Sequence, residues 1–125
     1  MPIQLEIFHP DRIVVGVGRG EVTLEEYQNF MTELVKAGVL HYRKIIDAMS
    51  ATTSDLNLDQ FVAIEARLAA NIEANRLPRG PLAIVINRER AETARIFKKM
   101  ASKDRPVEVF SSIHDARRWL REQPL

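Results

Sequence analysis

The run Leu82-Ala-Ile-Val-Ile86 is apolar at five consecutive positions. Its length, its β-branched content and the Gly80-Pro81 pair before it argue for a strand rather than a helix segment. A strand without polar alternation has both sides covered, which places it inside a sheet with elements packed on each face. The nearly continuous run Ile13-Val-Val-Gly-Val17 makes a second demand of the same kind. Whatever else the chain does, it must supply two layers around a common sheet.

The segments between supply them. Ile3-Gln-Leu-Glu-Ile7 alternates apolar and polar, as a half-buried strand does, and His9-Pro10-Asp11 follows as a turn. Thr23-Leu-Glu-Glu26 reads as a capping box, with Thr23 accepting from the Glu26 amide and Glu26 reaching back. Leu24, Tyr27, Phe30, Met31, Leu34 and Val35 then recur at helical spacing, and Gly38 supplies the stop. Arg43-Lys-Ile-Ile-Asp47 is expected as the third strand. Phe61, Ile64, Leu68 and Ile72 mark a second long amphipathic helix, from Leu58 to about Asn75. Asn87 is placed to cap a third helix from about Glu89 to Ser102. Val107-Glu-Val109 alternates again, and Ser112-Ile-His-Asp115 caps a last helix carrying Ile113, Ala116, Trp119 and Leu120.

The resulting order, β-β-α-β-α-β-α-β-α, predicts a single α/β domain over residues 1–125 with a mostly parallel five-stranded sheet and four helices. Strands separated by helices pair in parallel through right-handed crossovers. The continuous runs belong at the centre of the sheet and the alternating runs at its edges.

Hydrophobic residues at 46% and charged residues at 28% describe a soluble globular protein. The absence of cysteine excludes disulfide and thiolate chemistry. The opening MPIQLEIFHPDR shows no secretory signal, and no run of roughly 18 apolar residues spans a membrane, so a cytoplasmic protein is expected. The net charge of +1 hides an asymmetry. Residues 1–75 hold 6 Lys and Arg against 11 Asp and Glu, whereas residues 76–125 hold 12 against 6. Arg117, Arg118 and Arg121 extend that basic half and are the candidate contact face for something acidic. Nucleic acid is a poor fit, because Phe97, Phe110 and Trp119 are the only aromatics there. Trp119 and Leu120 read as core anchors of the terminal helix.

Several segments carry the likeness to a known family. They are the paired opening strands, "GRGEVTLEEY" with Gly20, Thr23 and Tyr27, the stretch "KIIDAMSATT", and the close "VEVFSSIHDARRWL". Together they resemble the STAS family (sulfate transporter and anti-sigma factor antagonist domains), in its SpoIIAA-like branch of small bacterial proteins. The resemblance covers nearly the whole chain. It implies a non-enzymatic regulatory module that binds a protein partner. In the anti-sigma factor antagonists a kinase phosphorylates the second serine of Asp-Ser-Ser-Gly after this strand. Counting from Asp47, the matching positions are Asp55-Leu-Asn-Leu58, so Asn57 stands where that serine would be. Asparagine cannot take a phosphate, and the phosphoswitch is not expected. The fold class is also similar to lipid-exchange domains of the Sec14 type, which makes a carrier of a small apolar or amphipathic ligand the alternative.

The candidate ligand or partner loop is Asp47, Ser50, Thr53, Ser54, Asp55 and Asn57. Asp47 is expected at the carboxyl end of an internal strand, where open α/β sheets form ligand crevices, with helix amides opening nearby. A purely local role fits the same residues, since Ser, Thr, Asp and Asn are what turns and caps use. The glycines Gly16, Gly18 and Gly20 suggest a strand kink or close packing rather than a phosphate loop. His9, His41 and His114 have no metal-binding spacing, and neither a metal nor another cofactor is expected. If all crossovers step one way across the sheet, the helices line one face. The apolar opposite face then needs a cover, and a second copy of the chain is the simplest one.

Overall fold

The computed structural model describes residues 3–52, 63, 67, 79–101 and 105–123. Strand β1 (Ile3–Phe8) turns through His9–Arg12 into β2 (Ile13–Glu21). The Arg12 amide donates to His9 O at 3.2 Å, and Arg12 takes a left-handed φ of 54°. So short a link permits only antiparallel pairing, because parallel neighbours need a crossover of a dozen residues or so. Helix α1 (Leu24–Lys36) leads to β3 (Arg43–Thr52). The chain continues through β4 (Leu82–Val85), a single 3-10 turn (Arg88–Arg90), helix α2 (Ala91–Ala101), β5 (Val107–Phe110) and helix α3 (Ile113–Glu122).

The strands lie in sequence order, β1-β2-β3-β4-β5. β1 pairs antiparallel with β2, and the other three pairings are parallel. The sheet is therefore mixed, with the alternating strands at the edges and the continuous ones inside. The described residues carry three α-helices, not the four expected. The second long helix falls outside the described residues except for Ala63 and Arg67, both helical and exposed.

Register assigns the two faces. Val14, Lys44, Leu82 and Val107 form one row, and Gly16, Ile46, Ile84 and Val109 another on the same side. On this face Tyr27, Phe30, Met31 and Leu34 of α1 pack on Val14, with Ile3, Leu5 and Ile7 of β1 joining them. The ring of Phe30 sits so close to Gly16 that a Cβ there would lie 2.7 Å from Phe30 Cζ. Close approach, as expected, is what that glycine permits. Thr23 caps α1, its hydroxyl accepting from the Glu26 amide at 3.2 Å, and Gly38 ends it at a φ of 70°. The reciprocal arm of the box is missing: Glu26 Oε2 is buried without a hydrogen-bond partner among the described residues.

The opposite face is built from Val15, Ile45 and Ala83 in one row and Val17, Asp47, Val85 and Phe110 in the next. Ala116 and Leu120 of α3 bury against Ile45, Ala83 and Val85, while Trp119 packs on Phe110 with ring centroids 5.8 Å apart. Ser112 caps this helix, accepting from the Asp115 amide at 3.4 Å. The helices thus do not line one face alone: the chain covers β3 to β5 on the second face with its own α3. On this second face the β1–β2 side lacks a helix of the described residues, and the case for a second copy as cover narrows to that side.

Candidate functional site

Two regions hold the residues the sequence singled out. The first is the carboxyl rim of the parallel strands. β4 pairs with β3 only as far as Asp47, whereas β2 follows β3 on to Thr52. Ala48 to Thr52 and Arg19 to Glu21 therefore stand beyond β4 as a two-stranded ribbon. Asp47 is not the end of a strand, as the polar residues after it suggested. Serine and threonine serve as well in an exposed ribbon as in a loop, so hydrophobicity could not mark the strand's true end.

A bulge lies at its root. Val17 pairs with Asp47 and Arg19 with Ser50, so Ala48 and Met49 together face Gly18. The extra residue costs the ladder a partner. Asp47 supplies one, its Oδ1 accepting from the Met49 amide at 3.1 Å. From the far side, Arg90 Nη2 donates to Ala48 O at 2.8 Å, and Arg90 is itself placed by Asn87, whose side chain accepts from the Arg90 amide at 3.1 Å. The polar groups at the bulge are thus engaged with backbone. What the ribbon offers outward is Met49, 42% exposed, beside exposed Ser50, Arg19, Gly20 and Glu21. Thr53, Ser54, Asp55 and Asn57 lie outside the described residues.

The second region is a groove of about 360 Å³ beside α3. Its floor is Ile13, Val15, Ile45 and Leu120, and its helical wall is His114, Arg117 and Arg121. Phe8 and Asp11 form the opposite lip. Positions 114, 117 and 121 share one helix face by the i, i+3, i+7 rule. Arg118 points elsewhere and lies 3.6 Å from Asp115, with both side chains largely exposed. Of the three candidate arginines, the fold brings two together at the groove and sends the third away.

The remaining groups are structural. His9 Nδ1 lies 2.9 Å from the Tyr42 hydroxyl, and the His41 ring meets Tyr42 edge-on at 4.8 Å. No cluster of three metal-ligating side chains occurs among the described residues. On β5, burial pushes the Glu108 carboxyl up. Hydrogen bonds from Lys98 Nζ at 2.8 and 2.9 Å and from the Val109 amide, with the nearby positive charges of Lys98 and Arg95, outweigh it and hold the group below its ordinary value.

Two features escaped the sequence reading. Lys44 is buried, at 4% exposure, and its Nζ donates to the carbonyls of Leu40, Tyr42 and Gly80 at 2.6, 3.0 and 3.3 Å. Nothing in the spacing of a lysine at a strand start announces that. The groove was equally invisible, because it depends on which residues of β2 face α3.

No protein-family model matches the chain, and no curated protein matches it. Solved structures do. An uncharacterised DUF3478-family protein with a SpoIIAA-like fold, from Shewanella loihica PV-4, superposes with a TM-score of 0.63 at 21% identity, over 94% of this chain and 91% of that one. The anti-sigma factor antagonist SpoIIAA in its unphosphorylated form superposes with a TM-score of 0.59 at 15% identity, over 97% and 99%. The chain therefore has the STAS/SpoIIAA-like fold, as its sequence resemblance implied.

Proposed function

We propose that the chain is a non-enzymatic regulatory module that engages a protein partner through its carboxyl rim. The observation that carries this reading is the ribbon: it projects past β4, exposes Met49 and Ser50, and spends Asp47 on holding its own bulge. A carboxylate committed to a backbone amide is poorly placed for acid–base chemistry, and a projecting edge suits contact better than enclosure. The fold shared with an anti-sigma factor antagonist supports the same class of role. With Asn57 in place of the phosphorylated serine, regulation would act through the partner or through expression, not through phosphate at that position.

The test is affinity capture with the intact chain beside Met49→Lys and Ser50→Asp. A protein retained by the parent chain and lost by at least tenfold with either variant, both still folded by circular dichroism, supports the reading. If every captured protein is held equally by all three chains, the rim is not the contact surface.

A further inference from the structure

The groove beside α3 lies on a different surface from the rim, and its chemistry differs. Helix α3 covers β3 to β5 but stops short of β2, so Ile13 and Val15 form an apolar floor between the helix and the first hairpin. Phe8, 43% exposed, continues the apolar surface at the lip. Val15, Ile45 and Leu120 are themselves buried, so the apolar surface still open to water is that of half-buried Ile13 and exposed Phe8, and an apolar ligand would cover it. The wall is cationic. Arg117 and Arg121 stand one helical turn apart, and neither makes a hydrogen bond or ion pair with another described residue; Asp11 is the one acid among the lining residues. Glu6, on the same face of β1, does not line the groove. Arg43, paired with Ile13 in the register, likewise does not line the groove. Its Nη2 donates to Gln123 O at 2.8 Å, and its Nε is buried without a partner among the described residues.

From this combination we infer that the groove binds a straight-chain aliphatic carboxylate. The hydrocarbon lies over Ile13 and against Phe8, above the buried Val15 and Ile45, and the carboxylate accepts hydrogen bonds from Arg117 and Arg121. Charge and shape argue for this occupant over others. A bare inorganic anion would leave Ile13 and Phe8 wet, and a neutral hydrocarbon would leave two guanidinium groups unused. Planar guanidinium suits a carboxylate, whose two oxygens accept in parallel. The volume falls at the small end of what ligand pockets enclose, roughly 300–1,000 Å³. The length of wall from His114 to Arg121 is about 10 Å at the rise of an α-helix, which matches a chain of medium length. This inference does not depend on the partner-binding role of the rim.

Calorimetric titration of the intact chain with octanoate, decanoate and dodecanoate, each below its micellar concentration, tests it, with decanol as the neutral control. Affinity should rise about three- to fourfold per added methylene until the chain outgrows the groove. Decanoate should bind roughly tenfold or more tightly than decanol. The double variant Arg117→Gln/Arg121→Gln should remove that advantage while leaving decanol unchanged. Both arginines are exposed, so the fold should survive, and amide chemical shifts of Ile13, Val15 and Ile45 should report decanoate binding directly. The variant Phe8→Ala, at the exposed lip, should weaken all three acids alike. Absence of heat and of amide shifts at millimolar decanoate overturns the inference, and so does equal affinity for decanol. Perturbations centred elsewhere than Ile13, Val15 and Ile45 overturn it too. Light scattering that finds a dimer dissociated by the double arginine variant would assign the groove to a second copy of the chain instead.

Discussion

On the face covered by α1, Tyr27, Phe30, Met31 and Leu34 close over Val14 and the β1 side chains, and Gly16 gives up its own side chain so that Phe30 can settle against β2. On the face covered by α3, a shorter helix carrying Ala116 and Leu120 seals β3 to β5 and leaves β2 half finished. The two sides of one five-stranded sheet thus differ at β2, which a ring from α1 packs on one side and which borders a groove beside α3 on the other.

The largest effect that separates the faces should come from matched leucine truncations. Leu34 of α1 is fully buried and enclosed on all sides, and Leu34→Ala should cost about 4 kcal/mol. Leu120, 1% exposed, also lines the groove, so its removal widens an opening that already exists instead of creating a sealed void. Leu120→Ala should cost nearer about 2 kcal/mol. Urea denaturation with unchanged m-values measures both, and equal costs would break the contrast. Next in size is Gly16→Ala. The added methyl must displace the Phe30 ring, at a cost of about 1–3 kcal/mol. Shrinking the ring in the same background, Gly16→Ala with Phe30→Leu, should be less costly than the sum of the two single changes, which a double-mutant cycle reads as coupling.

The smallest effect lies at the edge of the sheet. Glu108 is held below its ordinary value because Lys98 and the Val109 amide outweigh burial. A carboxyl whose value is lowered on folding stabilises the fold fully above its unfolded value, and the contribution fades as pH falls through the folded one. Glu108→Gln should therefore cost no more than about 1 kcal/mol at neutral pH, since more than a third of the carboxylate side chain is open to solvent screening. The gap between the variant and the parent chain should narrow below about pH 4.3 in acid-denaturation curves. A gap that stayed constant to low pH would show that the pair contributes nothing through charge.

How far the sequence revealed all this differs from place to place. Leu82 to Val85, Ile13 to Val17, the Thr23 and Ser112 caps and the Gly38 stop were legible because each rests on local chemistry: burial on both sides, a side-chain acceptor, a left-handed backbone. The end of β3 was not, because Ala48 to Thr52 owe their strand conformation to Arg19–Glu21 across a bulge, a partner distant in sequence. The arginine trio shows the same limit. Arg117, Arg118 and Arg121 look alike as a basic run, and only the packing of α3 on Ile45 and Val85 decides which of them face the groove. The expected second copy followed soundly from sequential crossovers, but it took no account of a terminal helix folding back beneath the sheet.

Lys44 gathers three carbonyl oxygens, those of Leu40 and Tyr42 at the end of the first crossover and that of Gly80 at the entry of β4, 36 residues beyond the lysine. Such a clasp ties the amino ends of the central strands to one another through charge-assisted hydrogen bonds. Any rearrangement that accompanies engagement at the ribbon must then pivot about this clasped end, with its greatest travel at the opposite tip of the strands.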